Sequence, residues 1–384
     1  MKKLGIISLL VGACVFAVIS YGFIDPNFPS VDSSAVTFFR EMLTHLVYRR
    51  SWVAAGIYMG VIGLFFAGYY ISLRQAQIEK IKRVPRWLIA VIAVCLLSFP
   101  ALSYDIFNYI LTAKVAFFYT ENPYIVMPIE IANEPMLAFT RAANKLALYG
   151  PVWIALSAFP HLLGSGSVLV SVFSFKLFAF LFYTAVCYII YRKTKRWDAT
   201  LFFAANPLVL IEVLANGHND IVMMAFALAG LILWQRRKIL HRGAGLILFA
   251  ASVFVKGATI ALLPVLFPSK IIWEKKMAIS FWLMFIVFLL SPLREEMYPW
   301  YAVWWLVFAA LVPLGKKLRF IHGFSFWFSL GLMLRYIPWI GTREYGGVTP
   351  LIRIILMMLP VAVYLFLYCY PILRRRYTTR GKRL

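Results

Sequence analysis

The sequence predicts an all-α, polytopic integral membrane protein with about twelve transmembrane helices. Of the 384 residues, 62% are hydrophobic and only 14% are charged, whereas soluble domains average roughly 45–50% and about 25%. Mean hydropathy is +0.81, and the apolar residues gather in runs of about 15–24 residues, long enough to cross a bilayer as a helix. One globular core could not bury this much apolar surface, so the composition excludes a soluble enzyme.

Clusters of lysine and arginine give these spans a consistent topology. The predicted spans are 4–22, 52–71, 87–103, 168–191, 199–215, 221–234, 243–256, 257–268, 277–291, 300–314, 320–340 and 353–373. With the N-terminus inside, the basic clusters between them all fall on one side, and they hold 27 of the 39 Lys and Arg residues. Because Lys/Arg-rich loops are retained in the cytoplasm, we predict an integral plasma-membrane protein with both termini cytoplasmic. The net charge of +24 therefore indicates membrane topology, and no nucleic-acid partner is expected.

The longest loop on the predicted outer side covers residues 104–167, and its pattern predicts helices on the membrane surface joined by proline turns. Between Tyr104 and Tyr119 the apolar residues follow the spacing of one helix face. They are Ile106, Tyr109, Ile110, Ala113 and Phe117. Asn122-Pro123-Tyr124 then ends this helix, because proline disfavours helical geometry at the residue before it. The apolar run 151–163 is too short to span comfortably and is predicted to be juxtamembrane or half-inserted.

Asp105 is the first candidate for chemistry, because it follows the third predicted span directly. A charged side chain near hydrocarbon costs a few kcal/mol unless it is solvated or paired. The alternative role of Asp105 is only that of the N-cap of a surface helix, a position that Asp favours. Capping does not explain the polar face that Asp105 shares with Asn108 and Thr112, and we interpret the carboxylate as functional.

The segment Asn216-Gly217-His218-Asn219-Asp220 is the second candidate, at the connection between the fifth and sixth predicted spans. Asn-Gly alone is typical of a tight turn, but a turn does not require His, Asn and Asp in succession after it. Glu212 adds a carboxylate one to two turns earlier.

Cationic and aromatic residues form the remaining candidates. Lys256-Gly257 interrupts an apolar run of about 25 residues, and two half-helices meeting outside at Lys256 preserve the charge topology. That lysine is then placed to bind a phosphate, or else it snorkels to the interface. The cluster Arg294-Glu295-Glu296-Met297-Tyr298-Pro299-Trp300-Tyr301 suits a sugar ring, although interfacial aromatics are also common anchors. Arg335, Arg343 and the intramembrane Lys176 are weaker candidates for an anionic lipid head group.

Taken in order, these motifs resemble the GT-C fold glycosyltransferases, and most closely the prokaryotic polyprenyl-phosphate-mannose-dependent mannosyltransferases. The resemblance covers roughly residues 87–305. The segments that carry it are Tyr104-Asp105, Asn122-Pro123-Tyr124, Tyr149-Gly150-Pro151-Val152-Trp153, Asn206-Pro207, Asn216-Gly217-His218-Asn219-Asp220, Lys256-Gly257 and Tyr298-Pro299-Trp300-Tyr301.

The resemblance implies that a sugar, expected to be mannose, moves with inversion from a polyprenyl phosphate carrier on the extracytoplasmic face. The acceptor is expected to be a hydroxyl of a lipid-linked or cell-envelope glycan. Asp105 corresponds to the general base and Asp220 to the second acidic residue. The expected substrate-binding residues are Asn108, Asn122, Tyr124, Tyr149, Asn216, His218, Asn219, Lys256, Arg294, Glu295, Tyr298, Trp300 and Arg335. One departure is that the catalytic-type loop follows the third span, where many GT-C enzymes place it after the first.

Three parts of the chain follow from this interpretation. Residues 1–86 hold two N-terminal helices and a basic loop, residues 87–305 the GT-C-like catalytic module, and residues 306–384 the C-terminal helices and basic tail. No cofactor is expected to be required, because an anionic phosphodiester donor needs less help from a metal than a nucleotide-sugar pyrophosphate. A divalent metal held by Asp105, Asp220 and Glu295 is the alternative. The four cysteines lack metal-ligand spacing.

A lipid-linked sugar flippase or another transporter is the alternative. The broken segment at Lys256-Gly257 and the intramembrane Lys176 favour it, since transporters use discontinuous helices at the membrane midplane. The sequence shows no inverted repeat, and its carboxylates gather at the predicted outer helix ends. We therefore favour the glycosyltransferase.

Overall fold

The computed structural model describes residues 2–23, 34–79, 83–267, 271–313, 319–344 and 346–380, and within these ranges every regular element is a helix. The α-helices are α1 Lys2–Ser20, α2 Ser34–Thr44, α3 Ser51–Glu79, α4 Arg86–Leu97, α5 Asp105–Phe117, α6 Pro151–Gly164, α7 Val168–Thr194, α8 Trp197–Ala204, α9 Pro207–Val209, α10 Asp220–Trp234, α11 Ile239–Lys256, α12 Leu263–Leu266, α13 Trp273–Leu290, α14 Val303–Leu311, α15 Arg319–Leu334, α16 Tyr336–Thr342 and α17 Thr349–Arg380. Short 3₁₀ helices cover Tyr21–Phe23, Pro128–Glu130, Pro135–Phe139, Ala258–Leu262, Ser291–Leu293 and Pro299–Ala302, and π-helical turns cover His45–Arg49 and Leu210–Ala215. The all-α prediction is confirmed.

Six helices of the described residues are long and apolar enough to cross a membrane, or up to seven if one bent pair counts as a single span. The prediction of twelve spans is therefore not confirmed. Helices such as Arg86–Leu97 and Asp220–Trp234 are shorter than the roughly 20 residues that a complete crossing needs. They are shorter because irregular segments interrupt the apolar runs. The backbone N–H and C=O groups that lose their helical partners at these breaks can bond to neighbouring parts of the protein.

The predicted span 199–215 and the predicted pair of half-helices 243–256 and 257–268 show how the apolar runs are interrupted. The first bends by 50° between α8 and α9, where Asn206 accepts a hydrogen bond from the Leu208 amide and Pro207 begins the next helix. The second stops at Gly257, whose φ of +78° is costly for any residue with a Cβ. The chain then turns back, since Trp234 at the end of α10 donates to the carbonyl of Leu266.

Helix α5 is the main correction to the predicted topography. The sequence predicted an amphipathic helix on the membrane surface, but both of its faces are buried, including Ile106, Asn108 and Thr112. The prediction failed because the periodicity of one apolar face does not reveal that neighbouring elements also cover the polar face. α5 therefore belongs to the protein interior, where Asp105 is its first residue.

The segment between α5 and α6 is mostly irregular, whereas surface helices were predicted, and a buried ion pair anchors it. Glu134 accepts from Lys114 at 2.7 Å and from the Tyr119 hydroxyl at 2.6 Å. Its end passes directly over α11, with the Gly150 amide 3.0 Å from the Val255 carbonyl. A Cβ at Gly150 would lie 2.0 Å from the Phe254 carbonyl oxygen, so only glycine allows this close approach.

Lys176 binds backbone carbonyls of the protein, whereas the sequence suggested that it binds an anionic lipid head group. Its side chain is fully buried in α7, and its ammonium group donates to the carbonyls of Leu96, at 2.6 Å, and of Ser98. The last carbonyls of a helix have no partner within that helix, and a cation is favoured at this end. Lys176 therefore caps the C-terminus of α4, seven to nine residues before Asp105.

We expect Lys176→Met to lower the free energy of unfolding by about 1.5–3 kcal/mol, the usual contribution of a hydrogen bond to a charged group. Chemical or thermal unfolding of the purified protein in lipid measures this change. Arg192→Met is the matched control, because Arg192 lies on the same helix but is exposed. Equal losses in both variants would contradict the capping role.

Candidate active site

A cavity of about 1100 Å³ opens where several helices begin or end. It is lined by the start of α5, the loop before α6, the turn after α11, the loop between α13 and α14, and the beginnings of α16 and α17. Connections between helices, rather than the helix bodies, therefore supply most of its polar side chains.

The cavity lies at the helix ends opposite to the basic clusters. α11 and α13 begin next to Arg236–Arg242 and Lys275–Lys276, and both of them end at the cavity. The basic end of α7 contacts the basic end of α13, because the Lys193 ammonium in the last turn of α7 lies 4.6 Å from the ring centre of Trp273, the first residue of α13. The protein thus has one basic end and, at the other end of the same helices, a polar cavity.

The structure brings nine of the residues predicted from sequence to the cavity wall. They are Asp105, Asn108, Tyr149, Lys256, Arg294, Glu295, Tyr298, Trp300 and Arg335. The four polar residues Asn216, His218, Asn219 and Asp220 are fully buried behind that wall. Asn122 and Tyr124 lie in the loop instead, where the Tyr124 hydroxyl donates to the Tyr149 carbonyl.

Asp105 lies at the cavity end of a row of three ionisable side chains, of which the other two, His218 and Glu212, are fully buried. Its carboxylate is 25% exposed and lies 3.6 Å from Nδ1 of the fully buried His218. On the other side of the imidazole, Nε2 lies 3.3 Å from the buried carboxylate of Glu212. Glu212 also accepts from the Tyr336 hydroxyl at 2.9 Å. The imidazole therefore bridges a carboxylate at the cavity and a carboxylate in the interior.

This arrangement sets the protonation of Asp105 and His218. Burial raises the pKa of Asp105, but contact with His218 and the charges of His218 and Lys256 outweigh it, so the pKa falls below its ordinary value. For His218, burial lowers the pKa, but Asp105 and Glu212 together raise it above the ordinary value. Both shifts favour the ion pair of a protonated His218 and an ionised Asp105.

Asn216 fixes the backbone that carries Asp105. Its side-chain oxygen accepts from the Ala101 and Leu102 amides at 3.2 and 3.4 Å. Its amide group donates to Glu212 at 2.9 Å. The segment between α4 and α5 is therefore tied to the same carboxylate that holds His218.

A second buried pair joins α10 to α11. The Lys256 ammonium lies 2.9 Å from Oδ2 of the buried Asp220, and the Trp304 indole donates to Oδ1 at 2.6 Å. Lys256 also lies 4.7 Å from the ring centre of Tyr301. Asp220 is thus fully occupied by protein groups and does not reach the cavity.

Aromatic rings pack against both buried charge clusters, the row that contains His218 and the pair of Lys256 and Asp220. His218 stacks on Trp300 with 4.0 Å between ring centres, and Trp300 stacks on Tyr298 at 4.4 Å. Tyr301 stacks on Trp304 at 4.2 Å. The rings thus form two stacks nearly at right angles, since the planes of Trp300 and Tyr301 meet at 82°. Aromatic rings beside carboxylates suit the apolar face of a sugar.

Several cavity residues were missed in the sequence. They are Ser103, Arg141, Lys145, Tyr336, Trp339 and Arg353, whereas Glu296 and Tyr301 also line the cavity and belong to the cluster predicted to suit a sugar ring. Arg141 and Lys145 could have been found because they lie in a loop predicted to be outside, where basic residues are uncommon. Within the described ranges, no group of three or more His, Cys, Asp or Glu residues is arranged to hold a metal ion.

The contribution of the Lys256–Asp220 ion pair to stability can be measured by removing its ammonium group. We expect Lys256→Met to lower the free energy of unfolding by about 3–5 kcal/mol, because Asp220 then stays buried without its cation. Adding Asp220→Asn to this variant should restore most of the loss, as expected for coupled residues. Unfolding curves of the single and double variants measure this coupling, and strictly additive losses would contradict it.

Comparison with known proteins agrees with the sequence and the cavity. A family model, the MptA_B family, described as alpha-(1->6)-mannopyranosyltransferase, N-terminal domain, matches residues 5–270, more than half of the chain. No curated protein and no solved structure matches the chain. The match confirms the resemblance inferred from the ordered motifs. The chain therefore belongs to the MptA_B family and is a mannosyltransferase integrated in a membrane.

Proposed function

We propose that this mannosyltransferase moves mannose from a polyprenyl phosphate to a hydroxyl of a glycan or glycolipid acceptor, with inversion, and that Asp105 is the general base. The observation that carries the proposal is the Asp105 carboxylate, which is exposed to the cavity and contacts the buried His218. The proposed product carries mannose in the α-(1→6) linkage that the family description names. Inversion then requires a β-linked donor.

The proposed step balances as a single displacement. The acceptor oxygen forms a bond to the anomeric carbon, while the bond from that carbon to the phosphate oxygen breaks and its electron pair leaves with the polyprenyl phosphate. Asp105 takes the hydroxyl proton as the nucleophile attacks, which is general base catalysis. His218 and Glu212 act as positioning residues, which keep the carboxylate ionised and oriented. Cations near the leaving phosphate stabilise the charge that develops there.

Two features support a lipid-borne donor. The cavity wall includes Ile260 and Leu290, and both side chains are exposed, so the cavity presents apolar surface suited to hydrocarbon. The sequence contains no glycine-rich phosphate loop of the kind that binds soluble nucleotides. No obligatory metal is included in the proposal, because the cavity provides lysine and arginine near the anionic leaving group.

The extracytoplasmic location rests on charge. The cavity lies at the opposite helix ends from the basic clusters, and such clusters remain cytoplasmic. In the proposed orientation both termini are cytoplasmic, and the donor is used in the outer leaflet.

Asp105→Asn should strongly slow mannosyl transfer while the protein stays folded. We expect kcat to fall by roughly 10²–10⁴-fold, the usual contribution of a general base, because the amide cannot accept the proton. The assay is release of polyprenyl phosphate from labelled polyprenyl-phosphate-mannose by the purified protein in lipid, with host membrane extract as acceptor.

Asp198→Asn is the control for this assay, because it removes a carboxylate that pairs with Arg196 at the basic end of the molecule. It should retain wild-type turnover. Full activity of a folded Asp105→Asn protein would show that another group is the base.

The pH dependence should depend on His218. In the wild type, Asp105 has a lowered pKa, so transfer should persist down to pH values below about 3.9, the ordinary pKa of an Asp. In His218→Gln the effect of burial is less opposed, the pKa of Asp105 rises, and the acidic limb of the rate–pH profile moves to higher pH. Profiles of kcat/KM for both proteins test this, and an unmoved acidic limb would contradict the positioning role.

A further inference from the structure

Two arginines at the edge of the cavity converge on one carboxylate oxygen. Arg335, between α15 and α16, pairs through Nη2 with Oε1 of Glu296. Arg353, on the second turn of α17, places its Nη2 2.8 Å from the same oxygen. All three residues line the cavity. The proposed catalytic step makes no use of Glu296 or Arg353.

Arg335 retains binding capacity that the protein does not use. The residue is only 6% exposed, and its Nη1 is buried without a hydrogen-bond partner. A buried donor left unpaired is costly, and a guanidinium is suited to hold two oxygens of a phosphate or carboxylate at once. Because Arg335 itself lines the cavity, this unpaired donor favours an anionic ligand there.

Glu296 can separate from its arginine partners more easily than Asp220 can separate from Lys256. Asp220 is fully buried and held by Lys256 and Trp304, whereas the Glu296 side chain is 34% exposed. A ligand can therefore displace Glu296 from its arginines by letting it turn toward water. With Glu296 turned away, the two arginines present two positive charges to the phosphate that replaces it.

The surroundings of Arg353 favour an anion that is attached to a lipid. α17 is one of the helices long and apolar enough to span a membrane. Next to Arg353 along this helix, Leu351, Ile352 and Ile354 are exposed and apolar. An anion that reaches Arg353 from this side can have its hydrocarbon chain on the outer surface of α17.

We propose that Arg335 and Arg353 bind the phosphate of the lipid carrier and that Glu296 occupies this position until the carrier displaces it. The proposal rests on the proposed function, because it names the phosphate subsite of that reaction. Lys256, which the sequence had suggested as a phosphate ligand, remains paired with Asp220.

Binding of farnesyl phosphate to the full chain in lipid nanodiscs tests the subsite without any transfer reaction. Glu296→Gln should tighten binding by about tenfold, because the competing anion is gone, and Arg335→Gln and Arg353→Gln should each weaken it by about tenfold or more. Arg353→Gln, at the less buried site, gives an answer if the Arg335 variant does not fold. Asp198→Asn is the matched control, since it removes a carboxylate from an arginine at the basic end, and its affinity should equal that of the wild type.

Weaker or unchanged binding in Glu296→Gln would overturn the role of Glu296, and unchanged binding in Arg353→Gln would overturn the subsite. Inorganic phosphate and farnesol, added as competitors, identify the source of the anion. Poor competition by both supports a lipid-borne phosphate, whereas inorganic phosphate that competes as well as farnesyl phosphate overturns that part. Arginine-dependent binding in a protein that never transfers mannose would refute the proposed function and leave the subsite. Transfer that is insensitive to both arginines would refute the subsite alone.

Discussion

The structure depends on the balance of charge in a buried cluster beside the cavity. Glu212, Asp105 and Asp220 contribute three carboxylates, and His218 and Lys256 contribute two cations when the imidazole is protonated. Since charges buried away from water must be paired, Asp220 and Glu212 have their compensation in the interior. The remaining negative charge falls at Asp105, the one of these carboxylates that is exposed to the cavity. The cluster thus presents a single ionised carboxylate at the surface that a substrate reaches.

The fold holds this cluster through contacts distant in sequence. Lys176 closes the end of α4 and Asn216 holds the backbone that follows it, so the segment leading to Asp105 is fixed from two sides. Gly150 lets the loop before α6 lie against the end of α11, next to Lys256. The irregular connections that break the apolar helices are therefore the same connections that supply the polar side chains.

The sequence predicted the helical class and most cavity residues because both leave local signals. Asp105 and Lys256 were conspicuous because charged residues near apolar runs are rare. The surface position of α5 was predicted wrongly, since its periodicity could not reveal the elements packed over Asn108 and Thr112. The partnership of Glu212, His218 and Asp105 and the cap formed by Lys176 could not be predicted. Each joins residues that only tertiary structure brings together, as does the meeting of Glu296 with Arg335 and Arg353.

The cap on α4 has a consequence for the order in which the protein assembles. Lys176 lies 80 residues after Leu96, its carbonyl partner, so α4 leaves the ribosome before the lysine that completes it. A lysine in the middle of a long apolar helix is costly to release into lipid alone. α7 is therefore expected to enter the bilayer together with α4, and the earlier helix acts as a template that retains the later one. The segment carrying Asp105 gains its final geometry only when this pairing is made, so the catalytic end forms no earlier than the insertion of α7.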